Sequence, residues 1–403
     1  MRGLLQKLSI RLRGQRALEP TDRLVLHSAD DLAHVARLIE QQDASVAGAA
    51  AQLKKRADAL LASSLIRITD KQLVAPTGDP RDYCSIGTYW WPNPKTSDGL
   101  PYIRRDGQVN PESMDSDTGR VRQMCRQVLL LALAWRLFRD ERHAIRAAEQ
   151  LRVWFLDPGH AMTPHLNYAQ CIPGRSAGRS YGVIDTRGFR YLVDSATLLL
   201  DSPAWSVVEQ AQLRSWMLAF LDWLVTSSAG RKERRAANNH GTWYNAQALA
   251  LALFCGDARL ADELARQAQA RIEQQISPDG LQPEEYRRSR PLTYCTMNLW
   301  AFCELATLSE RTSVDLWSHE ASSGSSLKQA AYWLLPFLQR REPWPEREIV
   351  SYQPENYLSM LRRLALRFGD LFEPARLPLD QKRVLGDLMQ LQYPAGLRKE
   401  TVS

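Results

Sequence analysis

Residues 242–254 read TWYNAQALALALF, and beyond its first turn this stretch is apolar on nearly every side. A helix at the surface of a protein keeps polar residues along one face. A helix that is apolar all round is stable only where other elements cover it on every side. The stretch therefore predicts an inner helix, flanked by further helices, in a protein with a large core.

Helical periodicity extends in both directions from this stretch. Apolar residues recur at three- and four-residue steps from Val121 to Phe138 and from Trp205 to Leu224, which indicates one buried helix face in each segment. Long strand signals are absent, so the sequence predicts an all-α fold, and successive helix pairs are what an (α/α) toroid requires. Further helices are predicted at 29–63, 141–155, 187–200, 258–276, 292–308, 325–339, 352–367 and 380–391.

The chain has 403 residues, which exceeds the usual size of one domain. A helical toroid can grow around one continuous core, so we predict a single domain over 1–403, with 1–25 as a peripheral N-terminal segment. The first residues, MRGLLQKLSIRLRGQR, are basic and lack the apolar stretch of a secretory signal. The sequence as printed therefore favours a cytoplasmic location.

The formal net charge is +7 and the pI is about 9.1, a balance that suits a nucleic acid, an anionic membrane face or an acidic polysaccharide. On charge alone, a basic protein without an anionic partner is an equal alternative. No nucleic-acid-binding motif and no apolar run of membrane-spanning length is present, so we expect neither a nucleic-acid partner nor a membrane span. The six cysteines show neither zinc-site spacing nor a disulfide framework, and we expect no metal and no cofactor.

Two long irregular segments, 75–118 and 157–186, interrupt the helical pattern. Segments of this length without regular structure are usually functional. The first contains three consecutive aromatic residues, whose rings can stack on sugar faces, and two arginines that can pair with carboxylates. The alternative is that the rings plug the loop into the core. The candidates are Tyr89, Trp90, Trp91, Arg104 and Arg105.

The second irregular segment and the residues after it carry a dense set of amide, aromatic and guanidinium groups. Such groups fix hydroxylated and carboxylated ligands. For each residue alone, a structural role that holds the loop backbone is an equal alternative. The candidates are Asn167, Tyr168, Gln170, Arg175 and Arg187.

Asn239 and His240 stand immediately before the predicted inner helix. One of the neighbouring Asn residues or Thr242 is equally explained as a helix cap, and an isolated histidine is more often structural than catalytic. The helix start also supplies backbone N–H donors, which favour an anion. These two residues are therefore candidates for a site that binds a negatively charged group.

Three arginines, Arg287, Arg288 and Arg290, precede Tyr294 at the start of another apolar helix. A run of arginines is usually a solvated face. Here the cations lie beside a tyrosine, and they are expected to lower its pKa by favouring the phenolate.

Six segments in order resemble the pattern of the alginate lyase superfamily, helical-toroid enzymes that act on alginate and related polyuronides. The resemblance covers roughly residues 75–310. Because six blocks match in order and with sensible spacing, the resemblance is more specific than any single block. The segments are DYCSIGTYWWPNP, LPYIRRDGQVNPE, LNYAQCIPGRSAGR, IDTRG, NNHGTWYN and PEEYRRSRPLTYCTMNL.

The resemblance implies an incomplete (α/α) toroid of paired antiparallel helices, with long loops around a central cleft. It assigns Asn239, His240, Arg288 and Tyr294 to catalysis. It adds Glu285 to the substrate-binding set formed by the loop residues, and a small register shift would put Arg287 or Arg290 in the place of Arg288. Members of this family usually meet their polymer in the periplasm, in contrast to the location that the N-terminus favours.

The implied reaction is β-elimination, in which a base removes the C5 proton of a uronate and an acid protonates the C4 oxygen. Asn239 and Arg288, helped by His240, would stabilise the charge that develops on the substrate carboxylate. Tyr294 would serve as both base and acid in a syn elimination, or as the acid with His240 as the base in an anti elimination. Mannuronate-type linkages of alginate are the favoured substrate.

Three alternatives are left open. The first is a lyase for glucuronan or another uronate polymer, and the second is a non-catalytic polyanion-binding protein. The third is a glycoside hydrolase, which needs two carboxylic acids at a hydrolytic spacing. Its candidates, none of them in an evident pair, are Asp115, Asp185, Glu284 and Glu285.

Overall fold

The computed structural model describes residues 24–339, 341–369 and 388–394. Helices dominate these ranges, as predicted. They are α1 (Ala29–Glu40), α2 (Ala44–Leu61), α3 (Glu112–Asp115), α4 (Asp117–Phe138), α5 (Glu141–Leu151), α6 (Phe189–Leu198), α7 (Val207–Thr226), α8 (Ser228–Arg234), α9 (Asn239–Cys255), α10 (Ala258–Gln275), α11 (Pro283–Tyr286), α12 (Pro291–Ser309), α13 (Leu327–Leu338) and α14 (Leu358–Phe368).

Helix α9 contains the apolar stretch 242–254 and is covered on nearly every side, with its side chains from Gly241 to Ala252 buried. It packs against α6, α7, α10 and α12. Asn238 caps its first turn by accepting a hydrogen bond from the His240 backbone N–H. Its last turn ends at Gly256, whose φ of 77° lies in the left-handed region that favours glycine.

The inner helices α4, α6, α9, α12 and α14 follow one another in space, each packed on the next. Two-residue connections join α4 to α5 and α9 to α10, so each of these pairs packs as an antiparallel hairpin. The predicted all-α toroid of paired helices is confirmed. Among the described residues, no helix combines the length and the apolarity that a bilayer crossing requires.

The strands are few and lie in the two irregular segments. Strand β1 (Cys84–Ile86) pairs in parallel with β4 (Tyr168–Cys171), and β2 (Trp90–Trp91) pairs antiparallel with β3 (Ile103–Arg104). The first pair joins the two irregular segments to each other. All six cysteines are buried and free.

A buried carboxylate fastens both irregular segments to the inner helices. Oδ2 of Asp185 accepts hydrogen bonds from the hydroxyls of Tyr83, Ser85 and Thr118, at 3.0, 2.8 and 2.9 Å. Its Oδ1 accepts from the side-chain amide of Gln170 at 2.9 Å. Since the donors come from both segments and from α4, this one side chain fixes the position of the loops over the ring.

Several predicted boundaries differ from the structure. The helix predicted at 29–63 is two helices, because Gln42 has a φ of 57° and Asp43 caps a new helix start. The helix predicted at 352–367 begins with a 3₁₀ turn at Pro354–Tyr357. Of the segment 380–391, residues 380–387 lie outside the described residues, and Leu388–Leu391 form a 3₁₀ turn. Of the predicted peripheral segment 1–25, residues 1–23 lie outside the described residues, and Leu24 and Val25 are buried.

A buried ion cluster joins three inner helices. Glu304 of α12 lies 3.1 Å from the guanidinium of Arg190 on α6 and 2.8 Å from that of Arg363 on α14. Burial opposes ionisation of this carboxyl, but the two cations lower the pKa of Glu304 to about 2. Tyr191 also donates a hydrogen bond to it at 2.5 Å. The carboxylate is therefore held charged in the core.

We expect Glu304→Gln to lower the free energy of unfolding by about 3 kcal/mol, because it leaves two buried guanidinium groups without their carboxylate. The loss is measured by urea denaturation. The control Glu263→Gln, in a half-exposed pair with Arg234, is expected to cost less than about 1 kcal/mol. Equal losses in the two variants would contradict a structural role for the buried cluster.

The same variant tests the pH dependence. Since the pKa of Glu304 is lowered in the folded state, its stabilising contribution is complete above the unfolded pKa of about 4.3. The contribution disappears as the pH falls toward about 2. The difference in unfolding free energy between wild type and Glu304→Gln is therefore expected to shrink over that pH range.

Candidate active site

A cavity of about 460 Å³ opens at the N-terminal ends of α9 and α12, beneath the two irregular segments. Its size lies within the usual range of ligand sites. Half-buried aromatic rings, guanidinium groups and the first turns of both helices form its wall. Nine of the residues assigned from the sequence to lyase catalysis or substrate binding line it: Tyr89, Trp90, Arg104, Gln170, Arg187, Asn239, His240, Arg288 and Tyr294.

Asn239 occupies the first turn of α9 and is almost fully buried. Its side-chain nitrogen lies 2.9 Å from both carboxylate oxygens of Glu285, and its backbone N–H donates to the same carboxylate. An amide nitrogen carries two N–H donors. At least one of them is therefore committed to Glu285, which leaves at most one for a ligand.

His240 is oriented by a buried carboxylate. Its Nδ1 lies 2.5 Å from Oε1 of Glu233, a residue of α8 whose side chain is 3% exposed. An ionised carboxylate only accepts hydrogen bonds, so toward an ionised Glu233 the imidazole donates from Nδ1, and in the neutral ring the lone pair is then on Nε2. The ring of Tyr181 packs edge-on against the imidazole at 4.8 Å between centroids. The imidazole is thus held in one orientation.

Tyr294 lies in the first turn of α12 and donates a hydrogen bond to the Tyr89 hydroxyl at 2.6 Å. The guanidinium of Arg288 lies 4.0 Å from the centre of its ring. Burial and the neighbouring Tyr89 raise the pKa of Tyr294 well above its usual value, and Arg288 offsets only part of this rise. Arg288 therefore lowers this pKa in the expected direction, but desolvation outweighs its charge and the net shift is upward. The phenol is neutral.

Positive charge dominates the cavity wall. Five arginines line it, and Glu284 supplies the single carboxylate among the described lining residues. Burial, followed by the charges of Arg122 and Arg190, lowers the pKa of Arg187 to about 9. Burial likewise lowers the pKa of Arg179. The lining arginines are Arg104, Arg122, Arg179, Arg187 and Arg288.

The three arginines before Tyr294 have different surroundings. Arg288 lines the cavity and lies 3.2 Å from a carboxylate oxygen of Asp106. Arg287 is largely exposed and pairs with Glu284 at 3.0 Å. Arg290 is not part of the described lining. Of the three arginines, Arg288 is therefore the one that lines the cavity.

Six residues predicted to bind substrate lie outside the described cavity wall. Trp90 and Trp91 are consecutive in β2, and consecutive strand residues point to opposite faces, so only Trp90 faces the cavity. Trp91 instead donates to the backbone of Gln108 and stacks with Arg105 at 5.1 Å. The amide oxygen of Asn167 accepts from Trp223. The six are Trp91, Arg105, Asn167, Tyr168, Arg175 and Glu285.

Sequence reasoning missed four residues at or beside the site, namely Arg122, Arg179, Tyr181 and Glu233. Glu233 lies within a run of arginines and lysines. The sequence signal that could have identified it is an isolated acidic residue seven positions before His240. Arg179 binds the backbone oxygen of Gln170 and lies 5.1 Å from the ring centre of Tyr181. Arg122 projects from α4. The separation of these residues along the chain concealed their proximity.

One group of potential metal ligands occurs among the described residues, formed by Asp58, Asp140 and His143. None of the three lines the cavity. Asp58 pairs with Lys54 at 3.1 Å, and Asp140 forms a bidentate pair with Arg142. Cationic side chains thus already neutralise both carboxylates, and this group bears no relation to the candidate active site.

A ring of helix pairs with an arginine-rich cavity suits a protein that binds an anionic ligand. The sequence profile of the family described as alginate lyase matches residues 67–344. A search among curated proteins finds no significant match.

Solved structures extend this comparison. An alginate lyase from Bacteroides ovatus is 32% identical, with a TM-score of 0.87, over 92% of this chain and 99% of that one. Alginate lyase A1-III from Sphingomonas species A1 is 15% identical, with a TM-score of 0.55, over 94% of this chain and 99% of that one, and shares the fold. A variant of that enzyme, 13% identical over 94% of this chain and 99% of that one, with a TM-score of 0.54, was solved with a tetrasaccharide. The chain belongs to the alginate lyase family and is a polysaccharide lyase.

We expect Arg187→Gln to raise KM for an acidic polysaccharide about tenfold, equivalent to about 1.4 kcal/mol, because it removes a poorly solvated positive charge from the cavity. The melting temperature is expected to stay level or rise, since Arg187 has no ion pair among the described residues and lies near Arg122 and Arg190. Arg187→Lys, which keeps the charge, serves as the control. A KM within twofold of wild type in the glutamine variant would rule out this role.

Proposed function

We propose that this lyase cleaves alginate by β-elimination, prefers mannuronate-type linkages and leaves unsaturated uronate ends. One observation carries the proposal: Asn239, His240, Arg288 and Tyr294 line a single cavity whose wall is dominated by arginines. A polyuronide carries one carboxylate on each sugar, which matches that charge. The printed names of the Bacteroides and Sphingomonas proteins give alginate as the polymer on which those enzymes act.

The first requirement of the reaction is to make the C5–H bond acidic. An ionised carboxylate beside C5 resists the further negative charge of an enolate, so cationic and N–H donors must stabilise that charge. Arg288 supplies a guanidinium at the cavity wall. Asn239 contributes at most one N–H, since Glu285 holds the rest of its amide nitrogen. We therefore assign to Glu285 the role of positioning the side chain of Asn239.

His240 is the proposed base. Its Nδ1–H is bound to Glu233, so the free lone pair on Nε2 takes the C5 proton. The Glu233 carboxylate then stabilises the imidazolium that forms, as a buried carboxylate does when it orients a catalytic histidine. Glu233 is a positioning residue, because it acts through the imidazole.

Tyr294 is the proposed acid. Burial keeps its phenol protonated, so it has a proton to donate and is a poor base in the free enzyme. As Nε2 of His240 removes the C5 proton, the C4–O bond breaks, a C4–C5 double bond forms, and the Tyr294 proton passes to the leaving oxygen. The imidazolium and the phenolate return to their starting states by proton exchange through solvent.

The proposed mannuronate preference places a requirement on the site. His240 and Tyr294 stand in the first turns of α9 and α12, two helices that pack side by side. For mannuronate both groups must act on the same face of the sugar, in a syn elimination with a separate base and acid, whereas the resemblance linked this pair of roles to an anti elimination. In mannuronate the C5 hydrogen and the C4 oxygen lie on the same face of the ring, whereas in guluronate, its C5 epimer, they lie on opposite faces.

The remaining alternatives differ in how well the cavity suits them. Glucuronan, another uronate polymer, presents the same carboxylate and the same C5 proton, so it is the second candidate substrate. Hydrolysis requires two carboxylic acids across the scissile bond, and the described lining offers only Glu284. Of the other acids considered for hydrolysis, Asp185 is buried and already accepts four hydrogen bonds. Glu285 accepts a hydrogen bond from the side chain of Asn239.

Incubation with polymannuronate, polyguluronate and glucuronan is expected to raise the ultraviolet absorbance of unsaturated products fastest with polymannuronate. Tyr294→Phe is expected to abolish turnover while binding of the polymer survives, because only the transferable proton is removed. Tyr332→Phe, at an exposed position on α13, is the matched control. Full activity of Tyr294→Phe would remove Tyr294 from the mechanism, and reducing ends without absorbance would mean hydrolysis.

We expect Glu233→Gln to lower kcat at least about tenfold while KM changes less than twofold, because a glutamine amide can either donate to or accept from Nδ1 and no longer fixes the tautomer. Glu233→Asp, which keeps the carboxylate, is expected to recover part of the loss. Melting temperatures show whether either variant is misfolded. A kcat equal to wild type in folded Glu233→Gln would contradict the orienting role.

A further inference from the structure

A second, larger cavity of about 1230 Å³ lies along α4 and adjoins the first one. Arg122 lines both cavities and marks their junction. From there the second cavity, here called the α4 groove, follows a helix face formed by Gly119, Arg122, Gln123 and Arg126. These positions are separated by three or four residues, so they share one side of the helix.

The polar face is unusual for an inner helix of this ring. Its neighbours in sequence, Val121, Met124 and Cys125, are buried, whereas Arg122, Gln123 and Arg126 are exposed. Gly119 allows the backbone of α3 to approach closely, because a Cβ there would lie 1.8 Å from the carbonyl oxygen of Met114. The local packing thus leaves an open trough beside two arginines that are about one helical turn apart.

The two arginines are not neutralised by carboxylates within the part of the chain that the structure describes. The hydrogen bond shown for Arg122 goes to the sulfur of Met114 at 3.3 Å, and neither arginine has an ion pair there. Arg67, Lys71 and Arg120 also line the groove, but Arg67 lies 3.8 Å from Asp70, and Lys71 and Arg120 lie 2.6 and 3.6 Å from the buried Asp117. With Glu112 and Asp115 included, five cations face four carboxylates, so the positive balance of the groove rests on Arg122 and Arg126.

We propose that the α4 groove binds the part of a polyuronide chain that extends beyond the catalytic cavity, with Arg126 pairing with a sugar carboxylate remote from the cleaved bond. This inference rests on the proposed function, because it takes the same polymer as its ligand. The shared residue Arg122 allows a chain to pass from one cavity into the other. We expect contacts of this kind to favour long chains over short ones, because a short chain that fills the catalytic cavity leaves the α4 groove empty.

The test compares Arg126→Gln with Arg56→Gln, which removes the same charge at an exposed position of α2 outside both cavities. The measured quantity is kcat/KM on polymannuronate divided by kcat/KM on a mannuronate trisaccharide. We expect Arg126→Gln to lower this ratio about threefold to fivefold, the effect of a partly exposed ion pair. Arg56→Gln is expected to keep the wild-type ratio. The difference is expected to shrink at high salt, because salt screens exposed charges.

Two results would overturn the proposed role of the α4 groove. One is the same ratio of kcat/KM values in both variants, and the other is an equal loss of kcat/KM on polymer and on trisaccharide in Arg126→Gln. Melting temperatures identify a folding defect, and Arg126→Lys, which keeps the charge, is then expected to restore the wild-type ratio. Failure of the proposed function looks different, because the wild-type enzyme would then release no unsaturated product from any of the polymers.

Discussion

The structure depends on the complete burial of α9. A helix that is apolar all round must be enclosed, and α6, α7, α10 and α12 enclose it. Enclosure fixes where its two ends lie, so the polar residues at its start, Asn239 and His240, are placed at the cavity. The same packing brings α12 beside α9 and sets Tyr294 in the same wall. The position of the candidate active site is thus a consequence of core packing.

The loops over the ring are held by polar contacts instead of apolar burial. Asp185 gathers donors from both irregular segments and from α4, and a buried carboxylate with four hydrogen bonds has no low-energy alternative arrangement. The short β1–β4 pair adds backbone hydrogen bonds between the same segments. Aromatic and guanidinium groups of long loops can therefore form a defined wall, although the loops contain little regular structure.

In the proposed mechanism, charge and desolvation divide the proton transfers between two residues. The cavity wall contains several arginines and few carboxylates. This excess of positive charge favours binding of an anionic polymer, but it destabilises the folded protein while the site is empty. Desolvation raises the pKa of Tyr294 and keeps its proton in place, whereas the carboxyl group of Glu233 orients the imidazole of His240. A neutral phenol and an oriented imidazole are a ready acid and base, so a single tyrosine need not perform both proton transfers.

The sequence alone determined the helical class and the inner position of 242–254, because apolar periodicity is a property of neighbouring residues. The candidates Asn239, His240, Arg288 and Tyr294 came from the resemblance of six sequence segments to a known family. The sequence did not predict helix ends such as the break at Gln42, because the backbone angle of a single residue decides where such a helix ends. Only the tertiary structure decided which face of β2 meets the cavity, that Glu233 orients His240, and that burial outweighs Arg288 at Tyr294. Each of these depends on desolvation or on contacts between elements distant along the chain, which no local pattern of residues encodes.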